Sequence, residues 1–231
     1  MTVTIRPAHE TDIPSINQLH RPYVENTVIT FSLVPKTDAE ALESFRSIVS
    51  AGLPYIVAVD ADTHRIVGFS YCSPFRGSKG GYMYTAELTL FVDKEEQGKG
   101  IGSILLKKLI EIESNPSDYL EFFAATKEPR RVRALLACMA VDVTGKNEGL
   151  ALKAFYEKFG FELVGHLKNV GYKFGRWYIG NLLPSESADS LGLIRCISNY
   201  NCHLSQVRNF RHSKILRATL GCISNEIEYL S

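Results

Sequence analysis

The chain has 231 residues, 45% hydrophobic and 22% charged, with a formal net charge of +1, long enough to bury a sizeable core as one domain or as one domain plus an extension. That balance creates no field pointing to nucleic acid or a membrane surface, and the longest apolar run, ALLACMAV at 134–141, falls far short of the ~20 residues of a spanning helix. Five cysteines without a CxxC pair argue against a disulfide framework or a zinc cluster; together with a start, MTVTIRPAHETD, that lacks a signal pattern, they lead to the expectation of a reducing, cytoplasmic location and a small-molecule partner.

TVTIR at 2–6 alternates as a first strand, after which Thr11 and Asp12 offer caps for a helix through Leu19. Asp38 offers a cap for a second helix, AEALESFRSIVSA, that stops at Gly52. YIVAV at 55–59 and RIVGFSYCS at 65–73 read as strands joined by the polar turn DADTH, followed by the loop PFRGSKGG and the strand YTAELTLFV at 84–92. EEQGKGIGS then opens an amphipathic helix to about Ile112. The segment 114–134 reads as an inserted helix and loop. LLACMAVDV at 135–143 is a further strand, GLALKAFYEKFG a short helix ended by Gly160, and FELVGHLKNVGYKFGRWYIGNLL closes the part with clear pattern. This alternation predicts an α/β or α+β sheet with helices on its faces. From Pro184 the sequence turns rich in Ser, Asn and Cys, and 184–231 is expected to be a C-terminal appendage to a domain spanning 1–183.

Gly98, Gly100 and Gly102 alternate directly before a helix. Such glycines admit positive φ and bring bare N–H groups to a ligand at the positive end of a helix, which suits a pyrophosphate; a tight strand-to-helix turn is the plainer alternative. The P-loop pattern GxxxxGK[ST] is absent, and the dinucleotide pattern GxGxxG fails at Ser103. In YTAELTLFV, alternation sets Thr85, Glu87, Thr89 and Phe91 on one face, so Glu87 is the single charge in an uncharged strand. It is either a base whose pKa burial raises or a Glu on a wet sheet face.

Gln97, Gly98, Lys99, Gly100, Ile101 and Gly102 fit the pattern [Q/R]xxGx[G/A], which resembles the acetyl-CoA pyrophosphate loop of the GNAT superfamily of N-acetyltransferases. IRPAHETDIPSINQL with VENTVITFSL, then YTAELTLFV, then YEKFGFELVGHLKNVGYKFGRW resemble, in order, blocks of the phosphinothricin acetyltransferase branch. The similarity spans roughly residues 3–179 apart from the insertion.

The resemblance implies a GNAT fold: a mixed, mostly antiparallel twisted sheet of six or seven strands, flanked by helices, with the cofactor cleft where two central strands splay. It implies acetyl-CoA as cosubstrate, no metal, and direct transfer to the amino group of a small amino acid or analogue of phosphinothricin or methionine sulfoximine type. Glu87 falls at the family's base, and Tyr156 where the superfamily often has its proton donor, though it also reads as a packed aromatic. Backbone groups of Leu90, Phe91 and Val92 would contact pantetheine, N–H groups from Gly98 to Ser103 the pyrophosphate, and Asn147 a further part of CoA. Phe31, Arg76, Lys79 and Tyr82 match the branch's substrate contacts, although Arg76 and Lys79 also read as ordinary loop charges. A homodimer is implied as well. After GYKFGRWYI the chain departs from the branch, and its last strand is expected to be short or poorly paired. A degenerate acetyl-CoA-binding sensor or interaction module, and a protein N-terminal or lysine acetyltransferase, are the alternative functions.

Overall fold

In the computed structural model, which describes residues 2–77, 79–125, 127–142 and 150–186, the alternating apolar runs become β1 (Val3–Pro7), β2 (Tyr55–Asp60), β3 (Ile66–Pro74), β4 (Thr85–Val92), β5 (Ala134–Val141), β6 (Gly165–Lys173) and β7 (Arg176–Glu186). They form a seven-stranded open sheet in the order β1-β2-β3-β4-β5-β7-β6. Every neighbouring pair is antiparallel except β4 with β5, which run parallel. A parallel pair needs a long crossover, and the glycine loop and its helix supply one. The expected mixed, mostly antiparallel α+β sheet is therefore present.

The β4–β5 ladder is short. It runs from Thr85↔Ala134 to Leu88↔Ala137 and stops, while β4 continues to Val92 and β5 to Val141. Because β5 stays paired with β7 as far as Val141↔Ile179, the two central strands part beyond Leu88 and Ala137.

Helices α1 (Ile13–Asn26), α2 (Asp38–Ser50), α3 (Ile101–Ser114) and α4 (Ala151–Glu157) cover the sheet. On one face α3 buries Leu105, Leu106, Leu109 and Ile112 completely. A methyl group on Gly68 would come within 3.0 Å of Leu105, so the missing side chain lets α3 lie close on β3. On the other face Tyr55, Phe69, Tyr71 and Phe91 form a run of ring contacts that Phe45 of α2 and His20 and Tyr23 of α1 extend. Glu113 is the exception on the buried face of α3: it is 8% exposed, and neither carboxyl oxygen has a well-aligned hydrogen-bond partner.

Several boundaries differ from the sequence reading. Helix α1 runs past Leu19 and through Pro22 to Asn26. Burial of Tyr23 and Val24 offsets the hydrogen bond that Pro22 cannot make. Thr37, not Asp38, caps α2: its hydroxyl accepts from the Glu40 N–H, and Glu40 accepts in return from the Thr37 N–H, a capping box that uses all of one turn. Asp38 instead accepts from Asn17. The segment after Ser114 holds two 3₁₀ turns, Pro116–Asp118 and Leu120–Phe122, and no α-helix among its described residues. Pro116 removes a donor there, and the chain is anchored through buried Phe122, Phe123 and Val132. The last strand is long rather than short: β7 pairs with β5 from Ile179 to Glu186 and with β6 on its other side. Pro184, Ser185 and Glu186, the first residues of the appendage expected over 184–231, are thus part of β7, and that segment from residue 187 onward lies outside the described residues.

Candidate active site

A cavity of about 530 Å³ opens on the α1 and α2 side of the sheet, where β4 and β5 part. Glu87, the lone charge of β4, borders it. Burial pushes the Glu87 carboxyl above the usual carboxylate range, while the Cys138 thiol, donating toward it, pulls the other way. Cys138 is the first β5 residue beyond the paired stretch, and its side chain opens onto the cavity. Desolvation first, and the Glu87 charge second, push its thiol up to about 12, so at neutral pH it is a protonated donor. Tyr156, carried by α4 and 6% exposed, borders the same cavity. Burial, and then Cys138, raise the Tyr156 hydroxyl well above its ordinary value. A half-buried carboxylate, a thiol and a phenol therefore meet at the point where the sheet opens.

The glycine loop lies next to this opening. Gly98 and Gly100 take positive φ of 80° and 84°, and Gly100 is the left-handed N-cap of α3. A methyl group at either would meet nothing within 4 Å, so backbone conformation and not crowding calls for glycine. Ser103 and Ile104 donate to the Gly100 carbonyl. The first-turn N–H groups of Ile101 and Gly102 have no intrahelical acceptor and face outward at the positive end of α3. A methyl on Gly102 would sit 3.7 Å from both Leu90 and Val92, which places the loop against the end of β4 that β5 has left and β3 still pairs. Leu90 and Phe91 border the cavity. The Gln97 amide donates to the Tyr23 hydroxyl at 2.6 Å, and Tyr23 donates to the Val92 carbonyl. Lys99 pairs with Glu96 at 2.6 Å.

Of the residues expected to bind substrate, Phe31 borders the cavity, its ring over Gly171 and 6.4 Å from that of Tyr178. Arg76, Lys79 and Tyr82 are exposed on the loop after β3, where Arg76 lies 5.9 Å over the Tyr82 ring, and none of them borders the cavity. Asn147 lies outside the described residues. Cys138, His20 and Lys36 border the cavity without having been singled out from the sequence. Burial, then the charges of Lys36 and Lys173, lower His20 to about 4, so it is neutral at neutral pH. Cys138 had one legible signal, its alternation with Leu136, but only the β4–β5 register aligns that face with Glu87.

An outward-facing helix start, a gap in the sheet and a cavity with a carboxylate together fit a long thioester cosubstrate whose pyrophosphate meets the loop. Residues 52–163 match the family described as Acetyltransferase (GNAT) domain. Over 174 residues the chain is 31% identical to phosphinothricin N-acetyltransferase of Alcaligenes faecalis, covering 75% of this chain and 77% of that protein. Over 180 residues it is 30% identical to an L-methionine sulfoximine/L-methionine sulfone acetyltransferase of Pseudomonas paraeruginosa, covering 77% and 90%. A solved GNAT superfamily phosphinothricin acetyltransferase from Sinorhizobium meliloti, in complex with AcCoA, superimposes with a TM-score of 0.67 at 29% identity, covering 83% of this chain and 91% of that one.

Proposed function

Since the chain belongs to the GNAT acetyltransferases, in the phosphinothricin N-acetyltransferase-like branch, we propose that it acetylates the amino group of a small amino acid or analogue by direct transfer within a ternary complex. It is an N-acetyltransferase with acetyl-CoA as cosubstrate; the phosphinothricin or methionine sulfoximine type of amine, the roles of individual residues and the order of proton movements are our reading. The observation that carries it is the place of Glu87: in the cavity, at the parting of β4 and β5, on the strand whose far end, Leu90 and Val92, lies against the glycine loop.

An α-amino group with a pKa near ~8 arrives largely protonated, and only the neutral amine is a nucleophile. Glu87, made more basic by burial, takes that proton directly or through a water. The amine nitrogen then attacks the thioester carbonyl, and the C–S bond breaks. Tyr156, whose hydroxyl stays protonated because it is buried, gives its proton to the leaving thiolate, whose solution pKa of about 8.5 calls for only modest help; the second proton of the acylated nitrogen passes to the phenolate so formed, which leaves a neutral amide and restores Tyr156. Backbone N–H groups from Gly98 to Gly102 hold the pyrophosphate, the expected Ser103 N–H being engaged by the Gly100 carbonyl, and backbone groups of Leu90, Phe91 and Val92 align the pantetheine arm. Gln97 acts through Tyr23.

Exposed apolar side chains on β6 and β7, among them Val170, Tyr172 and Trp177, support a homodimer, which sedimentation of the purified chain would read directly. The reading as a whole is tested by thiol release from acetyl-CoA with a panel of amines. Turnover with methionine sulfoximine or phosphinothricin, exceeding that with peptides or lysine side chains, is the expected result. Tight acetyl-CoA binding without turnover of any amine would overturn it.

A further inference from the structure

The cavity is lined on its inner side by an acid, Glu87, yet the cations predicted to face it, Arg76 and Lys79, do not border it. Lys36 borders it, and Lys173, although not itself in the wall, bonds to a residue that is. Lys173, near the end of the edge strand β6, is only 3% exposed. It shares a face of β6 with Gly171, which pairs with Tyr178, and Gly180 and Leu182, on the same face of β7 as Tyr178, border the cavity. From that face the Lys173 ammonium donates to the carbonyl of Thr30 at 2.8 Å, and Thr30 is itself part of the cavity wall. An ammonium has three donors; one is used here, and the Phe174 ring, 5.1 Å from the nitrogen, offers only its face. Among the described residues no carboxylate lies within ion-pair distance of Lys173.

Lys36 borders the cavity from the chain between α1 and α2, its ammonium donating to Ser44 at 2.6 Å. The nearby acid, Glu40, accepts from Thr37 in the capping box. Both lysines act electrostatically on His20, which borders the cavity. A buried ammonium without a counter-charge is costly unless an anion reaches it.

We propose that Lys173, assisted by Lys36, binds the carboxylate of the amine substrate, so that a zwitterionic amino acid lies with its carboxylate toward these ammonium groups and its amino group toward Glu87. This rests on the proposed acetylation of amino acids and names the residues that select them. Glu87 and the two ammonium groups are then matched to the two ends of one small molecule. Amines without a carboxylate bind from the same cavity but forgo the cationic contact.

The test compares, at saturating acetyl-CoA, the KM of methionine sulfoximine with that of the corresponding amine lacking the carboxyl group, in the wild type, Lys173→Met and Lys36→Met. The expected result is a roughly 10- to 100-fold rise in KM for the amino acid in Lys173→Met, a smaller rise in Lys36→Met, and no change for the carboxyl-free amine. Lys173→Arg, which keeps the charge, should retain most of the preference. If Lys173→Met does not fold, Lys173→Gln carries the same comparison. Equal effects on both amines, or a selective effect from Arg76→Met or Lys79→Met in place of Lys173, would overturn the assignment while leaving the acetyltransferase reading intact. A wild type that turns over neither amine overturns both.

Discussion

Gln97, the first residue of the glycine-loop pattern, and Tyr23, in the middle of α1, are tied by a 2.6 Å hydrogen bond, and the same Tyr23 hydroxyl donates to the Val92 carbonyl at the end of β4. One phenol thus fixes both the strand end and the loop that follows it. Burial raises the Tyr23 hydroxyl, so it remains a donor at any working pH. Tyr23→Phe leaves the Gln97 amide and the Val92 carbonyl without this partner. The expected outcome is a KM for acetyl-CoA raised about tenfold, in line with the loss of one or two hydrogen bonds, with the KM of the amine little changed. Initial-rate kinetics with each substrate varied in turn checks it.

Glu87→Gln keeps the shape of the side chain and removes the base. Its kcat should fall roughly 100-fold or more with an unchanged melting temperature, and unchanged turnover would remove Glu87 from the mechanism. The wild-type pH profile carries a second signature. Activity needs the ionised carboxylate, so kcat/KM should rise with pH through a value above the usual carboxylate range, because burial raises Glu87. The Cys138 thiol favours the ionised form by donating to it. Cys138→Ala should therefore move the acid limb to higher pH, and Cys138→Ser should move it back.

Glu113 makes a prediction about stability rather than activity. Burial raises its carboxyl from 4.5 to about 7, against smaller opposing contributions from Cys72 and Arg130. Between those values the folded protein holds a proton that the unfolded chain has lost, so stability is full below the unfolded value and falls as pH rises. The loss should approach on the order of 3 kcal/mol by about pH 8. Glu113→Gln cannot ionise, so denaturant unfolding at pH 5 and pH 8 should show a smaller decline in the variant. Equal declines would contradict the assignment.

Much of this was legible in the letters. The alternation of YTAELTLFV put Glu87 on the face that became the cavity wall, because period-2 patterning survives into any sheet. The glycine loop was legible because positive φ and a helix start impose glycine locally. What sequence did not reveal depended on partners far along the chain. Thr37 and Asp38 are both good caps, and only the reciprocal bond with Glu40 decides between them. The continuation of α1 through Pro22 rests on the tertiary burial of Tyr23 and Val24. Cys138 meets Glu87 through a register between strands some fifty residues apart, and Lys173 meets Thr30 across 143 positions. No local pattern encodes either.

The sheet's sole parallel ladder joins β4 to β5 through four residue pairs, whereas β5 and β7 share eight. Everything from β1 to β4 forms one run of antiparallel pairing, and β5 to β7 another, so the reacting groups straddle a seam held by the briefest ladder in the sheet. Opening costs least where fewest bonds must break. The molecule should therefore breathe along this seam while each half keeps its own pairing, and a thioester arm can slip between β4 and β5 without any part of the core unfolding.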